Sequence, residues 1–322
     1  MKVMAGDLGG TKTIVQMAEV DPDGAQRVLY QRTYQSNDYP QLLPLLEDFL
    51  ARAHSGAPQG ACFGVPGPVH GARAKTTNLP WSIDARALER ALGIPRVHLI
   101  NDFQAAGYGI EALAPGDLVT LQAGETQPGA PRALLGAGTG LGEALLVRRG
   151  ERYQVLASEG GHVDFAPTDE LQMALLAHLL ARFGQVSYER VVSGSGLVAI
   201  YEFLCTRAGV ATVFDGAARI SAAALAGDDP TAVQALDLFV RVYGAQASNL
   251  ALTVLATGGV YVAGGIAPKI IDKLRDGAFM EAFCNKGRMR ALAETMPVHV
   301  ITNPEVGLLG AAVVAHRGVP GS

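Results

Sequence analysis

One pattern occurs twice in this chain, and it restricts the fold more than any other feature: strand, glycine turn, strand, turn, strand. The first copy runs Lys2 to Leu8, Gly9-Gly10, Thr11 to Val20, Asp21-Pro22-Asp23-Gly24, and Arg27 to Gln35. Its strands are apolar or β-branched, and its breaks are glycine and Asp-Pro turn residues. The second copy runs Ala133 to Gly136, Gly138-Thr139-Gly140, Leu141 to Arg148, Arg149-Gly150-Glu151, and Tyr153 to Ala157. The match is one of pattern rather than residue identity, and it points to an internal duplication.

The intervening segments supply the helices. Leu42, Leu45, Leu46, Phe49 and Leu50 follow helical spacing, with Pro40 near the start. Ala61 to Val65 reads as a buried strand, Asp84 to Leu92 as a helix, Val97 to Ile100 as a strand, and Asp102 to Leu113 as a helix. After the second copy the chain is mainly helical, with a long periodic segment from Ala232 to Leu255. Then come a strand, Val260 to Ala263, Gly264-Gly265 with a helix after it, a strand, Val298 to Thr302, and a helix, Glu305 to His316. That order is α/β, with strands partly parallel and partly meandering.

At 322 residues the chain exceeds what one hydrophobic core usually serves, so two domains are expected. The expected division is 1–113, completed by 303–322, and 114–302, with the boundary near Ala114 to Gly116. Hydrophobic residues make up 49%, which suits buried α/β architecture and argues against disorder. A net charge of −4 offers no footprint for nucleic acid or an anionic membrane, so a polyanionic ligand must be held by local geometry. Leu250 to Pro268 is uncharged, but its two glycine pairs make it helix, turn and strand rather than a membrane span. Asp7 interrupts the opening apolar run too early for a signal peptide. Cys62, Cys205 and Cys284 lie far apart with no metal-ligand spacing, as expected of reduced thiols in a cytoplasmic protein.

Gly6-Asp7-Leu8-Gly9-Gly10-Thr11-Lys12-Thr13 nearly fits the P-loop pattern, but Thr11 stands in the second glycine's place and a strand follows. A tight hairpin can still aim backbone N–H groups at phosphate, because glycine lets the ligand approach the main chain. Gly136-Ala137-Gly138-Thr139-Gly140 can do the same, although a glycine hairpin is often only a hairpin. Asp7 beside the first turn would repel bare phosphate unless it holds Mg²⁺; the alternative is a turn-stabilising Asx side chain. Gly264-Gly265 suits close approach of a nucleotide or plain helix–sheet packing. Asn101-Asp102 sits where ligands gather in open α/β sheets, and equally where a helix needs an N-cap. Glu159-Gly160-Gly161-His162 sets a carboxylate and an imidazole around a glycine pair without a complete metal pattern. Glu189 is either a third acceptor or a surface charge. Acceptors plus one imidazole suit a polyhydroxyl ligand, whose hydroxyls both donate and accept.

These motifs together make the chain similar to the bacterial glucokinases within the actin/hexokinase-like ATPases. The resemblance runs from Gly6–Thr11 to Asn303-Pro304-Glu305-Val306-Gly307-Leu308-Leu309-Gly310. Its most specific pieces are Asn101-Asp102-Phe103, the stretch from Gly136 to Gly142, and the stretch from Glu159 to Phe165. Thr77-Asn78-Leu79-Pro80-Trp81 and Glu189–Gly194 are also similar. The resemblance implies a two-domain actin-like (ribonuclease H-like) fold with a cleft between domains. It implies transfer of the γ-phosphate of ATP to the 6-hydroxyl of glucose, at the entry to glycolysis, by a homodimer. Asp102 would be the catalytic base, with Asn78, Asn101, Glu159, His162 and Glu189 holding glucose. ATP would be met by Gly6, Asp7, Leu8, Gly9, Gly10, Thr11, Gly138, Thr139, Gly140, Gly264 and Gly265, with Mg²⁺ at Asp7. The zinc-binding cysteine cluster of related kinases and repressors is absent, so no zinc is expected. Lys12 stands where many members have Asn, and Ser195 where Pro or Arg is more usual. Competing expectations are a kinase for another hexose or an amino sugar, a sugar-sensing regulator, and a polyphosphate or acyl-phosphate enzyme. The regulator would need a helix-turn-helix ahead of the first strand.

Overall fold

The structure is a computed structural model and describes every residue except 23, 77, 78 and 319–322. It divides into two compact units: Met1–Pro115 with Arg148–Ala157 and Asn303–Ser322, and Gly116–Val147 with Ser158–Thr302.

The first unit is built on a five-stranded sheet in the order Gln26–Gln35, Lys12–Val20, Lys2–Leu8, Gly60–Val65, Val97–Asn101. The first three strands form an antiparallel meander, and the last two run parallel to Lys2–Leu8. Gly60–Val65 is buried along its whole length, as a parallel strand covered on both faces must be. The helix Leu42–Ala53 lies against Gln26–Gln35 and Lys12–Val20, and its Leu42, Leu45, Leu46 and Phe49 share one buried cluster with Met4, Leu8, Met17 and Phe63. The helix Val306–Arg317 lies against Lys2–Leu8 and Gly60–Val65 and also packs on the helix Asp102–Gly109. It is apolar nearly all round and correspondingly buried. A Cβ on Gly310 would lie 1.8 Å from the Ala105 carbonyl oxygen, so glycine is what lets those two backbones touch.

The second unit repeats the plan. Its strands run in the order Leu141–Arg149, Arg132–Ala137, Val260–Ala263, Val298–Ile301, Leu118–Gln122. Here too the first strand of an antiparallel pair meets parallel neighbours, so the repetition in sequence is matched by a repetition of strand pairing. The added strand Leu118–Gln122 closes the far edge antiparallel to Val298–Ile301. The helix Pro230–Val254 is the spine of this unit's core, burying Leu236, Phe239, Val240, Tyr243, Ala247 and Ala251.

Some boundaries differ from the sequence reading. The helix after Asp102 ends at Gly109 and finishes as a 3₁₀ turn, Ile110–Ala112. Asp84 caps its helix rather than joining it, its Oδ1 accepting from the Arg86 and Ala87 amides. Gly264-Gly265 leads into a 3₁₀ turn, Ala267–Ile270, before the short helix Ile271–Arg275. Among the described residues no helix is long and apolar enough to cross a membrane.

Candidate active site

In the first unit, parallel register sets Asp7 opposite Gly64 and Gly64 opposite Ile100, so Asp7 and the Asn101-Asp102 pair lie at the same carboxyl end of the sheet, on the two strands that flank Gly60–Val65. Asn101 is the N-cap of Asp102–Gly109. Its Oδ1 accepts from the Phe103 and Gln104 amides, and the Gln104 side chain accepts from the Asn101 amide in return. The N-cap reading of this pair therefore holds for Asn101. Its Nδ2 donates to the Gly67 carbonyl at 3.4 Å. Asp102 becomes the first helical residue, one Oδ taking the Phe103 amide at 2.8 Å.

Burial, reinforced by the charge of Asp102, raises the Asp7 carboxyl to about 6. Gly307, in the first turn of the last helix, faces it: a Cβ there would sit 3.7 Å from Asp7 Oδ2. The neighbouring turn is tight. Gly9 donates to the Lys12 carbonyl at 2.9 Å, and a Cβ on Gly9 would meet that same oxygen at 2.6 Å. Sequence reasoning missed the brace beneath it. Buried Ser36 donates its hydroxyl to the Gly9 carbonyl at 2.7 Å, lies 2.9 Å from the Thr13 hydroxyl, and donates its own amide N–H to the Thr11 carbonyl. Ser36→Ala strands the buried Thr13 hydroxyl and the half-buried Gly9 carbonyl, so we expect a loss of about 1–3 kcal/mol, read as a lowered thermal midpoint.

In the second unit the turn Gly138–Gly140 is closed by a bond from the Gly138 amide to the Gly140 carbonyl at 2.8 Å. The Gly138 carbonyl accepts from Gly194, the first residue of the helix Gly194–Ala208, which Ser193 caps. That helix start was not assigned to the turn from sequence; Ser193-Gly194 ahead of an apolar run was its trace. Thr139 is exposed. Gly264-Gly265 ends the neighbouring parallel strand at the same edge. Gly264 has φ +82°, and a Cβ on it would lie 2.4 Å from the Ala137 carbonyl oxygen, which accounts for this glycine by backbone packing; nothing lies within 4 Å of a Cβ built on Gly265. Buried Tyr243 was also missed. Its hydroxyl accepts from the Ala137 amide at 3.0 Å and donates to the Ala263 carbonyl at 3.4 Å, joining both strand ends. Its signal in the sequence was a lone tyrosine inside an apolar helix.

Three of the proposed sugar contacts converge in this unit. His162 Nδ1 lies 3.8 Å from Glu189 Oε1, and its Nε2 lies 3.8 Å from Glu159 Oε2. Glu159 is well exposed, whereas Glu189 is held by the Leu141 amide, which donates to its Oε2 at 3.0 Å. Glu189 is thereby fixed directly behind the glycine turn, and a Cβ on Gly140 would fall 2.4 Å from the same oxygen. Asn78 lies outside the described residues. The described residues contain no group of three or more His, Cys, Asp or Glu able to hold a metal.

The glucokinase family model matches residues 4–318. Glucokinase of Trichormus variabilis is 48% identical, over 98% of this chain and 99% of that protein. Among solved structures, a glucokinase from an Antarctic psychrotroph superposes with a TM-score of 0.91 at 31% identity, covering 98% of this chain and 99% of the other. A ROK-family glucokinase from Streptomyces griseus, solved with glucose and AMPPNP, superposes at 0.64 over 99% and 100%; at 24% identity it speaks for the fold alone. The fold is the two-domain actin-like ATPase fold, and a match of this extent means that the chain belongs to the glucokinase family.

Proposed function

We propose that this chain transfers the γ-phosphate of ATP to the 6-hydroxyl of glucose, with Asp102 as the base. The observation that carries the sugar reading is the convergence of Glu159, His162 and Glu189, two carboxylates and an imidazole within 3.8 Å contacts and without a metal-binding group. Such a set matches hydroxyls that both donate and accept, and an absent or inverted hydroxyl would strand a polar partner. Asn101 and Asn78 complete the proposed sugar contacts. Asp102 takes the proton of the attacking hydroxyl as the oxygen–phosphorus bond forms. The turns Gly6–Thr11 and Gly138–Gly140, with Gly264-Gly265, offer backbone to the nucleotide phosphates. Positioning and charge stabilisation supply most of the rate in this chemistry.

The residues fit a magnesium ion. Asp7 and Asp102 carry like charges close enough for one to raise the other, a repulsion that a divalent cation relieves. Magnesium is commonly held by one or two carboxylates plus phosphates and water, so Asp7 suffices on the protein side. When bound, the ion neutralises charge on the phosphate oxygens. The same reading places the protein in the cytoplasm, at the first step of glycolysis, as a homodimer.

The test is ADP release with ATP, Mg²⁺ and a panel of sugars. Glucose should give the highest kcat/KM. Preference for mannose, fructose or N-acetylmannosamine would move the substrate and keep the chemistry; no sugar-dependent release would end the proposal.

A further inference from the structure

Beneath the Glu159–His162 loop lies a carboxyl group that the phosphoryl transfer does not use. Glu143 is 2% exposed, and a Cβ on Gly160 would sit 2.1 Å from its Oε2, so the loop rests directly on this side chain. Among the described residues no ion pair meets Glu143; its Oε1 accepts from Gln246 Nε2 at 2.8 Å. The chain of bonds continues. Gln246 Oε1 accepts from Asn249 Nδ2 at 3.1 Å, and Asn249 Oδ1 accepts from Lys286 Nζ at 2.6 Å. Asn249 Nδ2 also donates to the Tyr188 hydroxyl at 2.9 Å, and Tyr188 precedes Glu189 within one 3₁₀ turn.

Chemistry forces the direction of every link. An ammonium group only donates, so Asn249 must present its oxygen to Lys286 and its nitrogen to Gln246. Gln246 then has only its nitrogen left for Glu143. The result is an aligned series of dipoles joining a positive end at Lys286 to a negative end at Glu143. Aligned bonds of this kind polarise one another, and they offset the cost of a buried carboxylate whose direct partner is a neutral amide. Gln246 and Asn249 lie three residues apart on the helix Pro230–Val254, which places both amides on one face.

We propose that Glu143, Gln246, Asn249 and Lys286 form a positioning relay that sets both acid-bearing loops of the sugar site, Glu159–His162 through Glu143 and Glu189 through Tyr188. None of the four touches the reacting atoms. The proposal rests on the sugar-kinase reading above and adds the residues that hold its specificity contacts in place. Breaking the relay should therefore loosen sugar binding and leave the nucleotide side alone.

The test uses Lys286→Met, Lys286→Arg, Glu143→Gln and the Lys286→Met/Glu143→Gln double variant in the full chain. Lys286→Met and Glu143→Gln should each raise the glucose KM by about 10-fold, with kcat within about 2-fold and the ATP KM unchanged. The double variant should be no worse than the weaker-binding single variant, because both cut one connected chain. Lys286→Arg keeps a donor and should restore glucose KM. A glucose KM that stays at the wild-type value in folded Lys286→Met and Glu143→Gln overturns the relay, as do additive effects in the double variant. A second readout does not depend on substrate identity: backbone amide resonances of Gly160, Gly161 and Glu189 should shift in Lys286→Met. If wild type proves inactive on glucose, the functional reading fails while unshifted amides alone would refute the relay.

Discussion

Asp102→Asn is expected to lower kcat by about 10²–10⁴ while leaving the fold and sugar affinity near wild type. The substitution is isosteric, and the amide oxygen can keep the Phe103 N–H that now reaches Asp102 at 2.8 Å. The helix itself is held one residue earlier, by the reciprocal Asn101–Gln104 cap, so its start does not depend on residue 102. What disappears is the capacity to take a proton. A sugar hydroxyl is far too weak an acid to react ionised at neutral pH, and its proton must leave as the bond to phosphorus forms. Turnover measured by coupled ADP release, beside glucose affinity by calorimetry, separates the two roles: binding preserved with turnover lost is the expected pair. Near wild-type turnover would remove Asp102 from the chemistry. A linked pH effect should accompany the loss. The charge of Asp102 is the second cause raising Asp7, so in the variant the Asp7 carboxyl should titrate lower than in wild type.

The parts of this fold that were legible in the sequence share a physical property: their pattern is local. The strand–glycine–strand copies, the helix from Ala232 and the strand Val260–Ala263 each announce themselves by periodicity and turn chemistry within one window. Strands lacking such contrast went unread. Leu118–Gln122 is short and only half-buried, and it becomes a strand because Val298–Ile301 offers an edge far along the chain. The small sheet of Val69–His70, Arg73–Lys75 and Ser82–Asp84 is likewise formed by pairing rather than propensity. At the site the same division holds. Asp7, Asp102 and the glycine turns stand in distinctive motifs, whereas their supports do not. Ser36 is a polar residue in an ordinary turn, Tyr243 an aromatic in an apolar helix, and Glu143 one charge in a strand. Each acquires its role only from what folding brings to it: the Gly9 carbonyl, the two strand ends, or the underside of the Gly160 loop. Asn101 shows the opposite limit. Two readings of it were open in sequence, and the structure assigns its side-chain oxygen to the helix cap.

Asp7→Asn should trade activity for stability, and the sign of the stability change depends on pH. The folded protein holds the Asp7 carboxyl near 6, above the value of about 4 for the unfolded chain. A carboxyl raised on folding binds more protons in the native state. Its native form is therefore favoured below the unfolded value, and that advantage is lost as pH rises from about 4 to about 6. Above pH 6 wild type carries an ionised Asp7 against burial and against Asp102, and asparagine carries neither penalty. The full shift would correspond to about 3 kcal/mol; allowing for the partial solvent access of Asp7, we expect a gain of roughly 1–2 kcal/mol at pH 7–8. The thermal midpoint of the variant should exceed that of wild type by a few degrees there, and the difference should vanish near pH 4. Activity should fall by about 10²-fold or more, since charge stabilisation carries much of the rate in phosphoryl transfer. A variant that is less stable than wild type at pH 8, or whose advantage is the same at pH 4 and pH 8, would show that Asp7 is not held against its own charge. Loss of activity without the stability gain would separate a nucleotide role from the electrostatic strain argued here. Both changes together would mean that the site keeps a repulsive pair of carboxylates for the cation that relieves it.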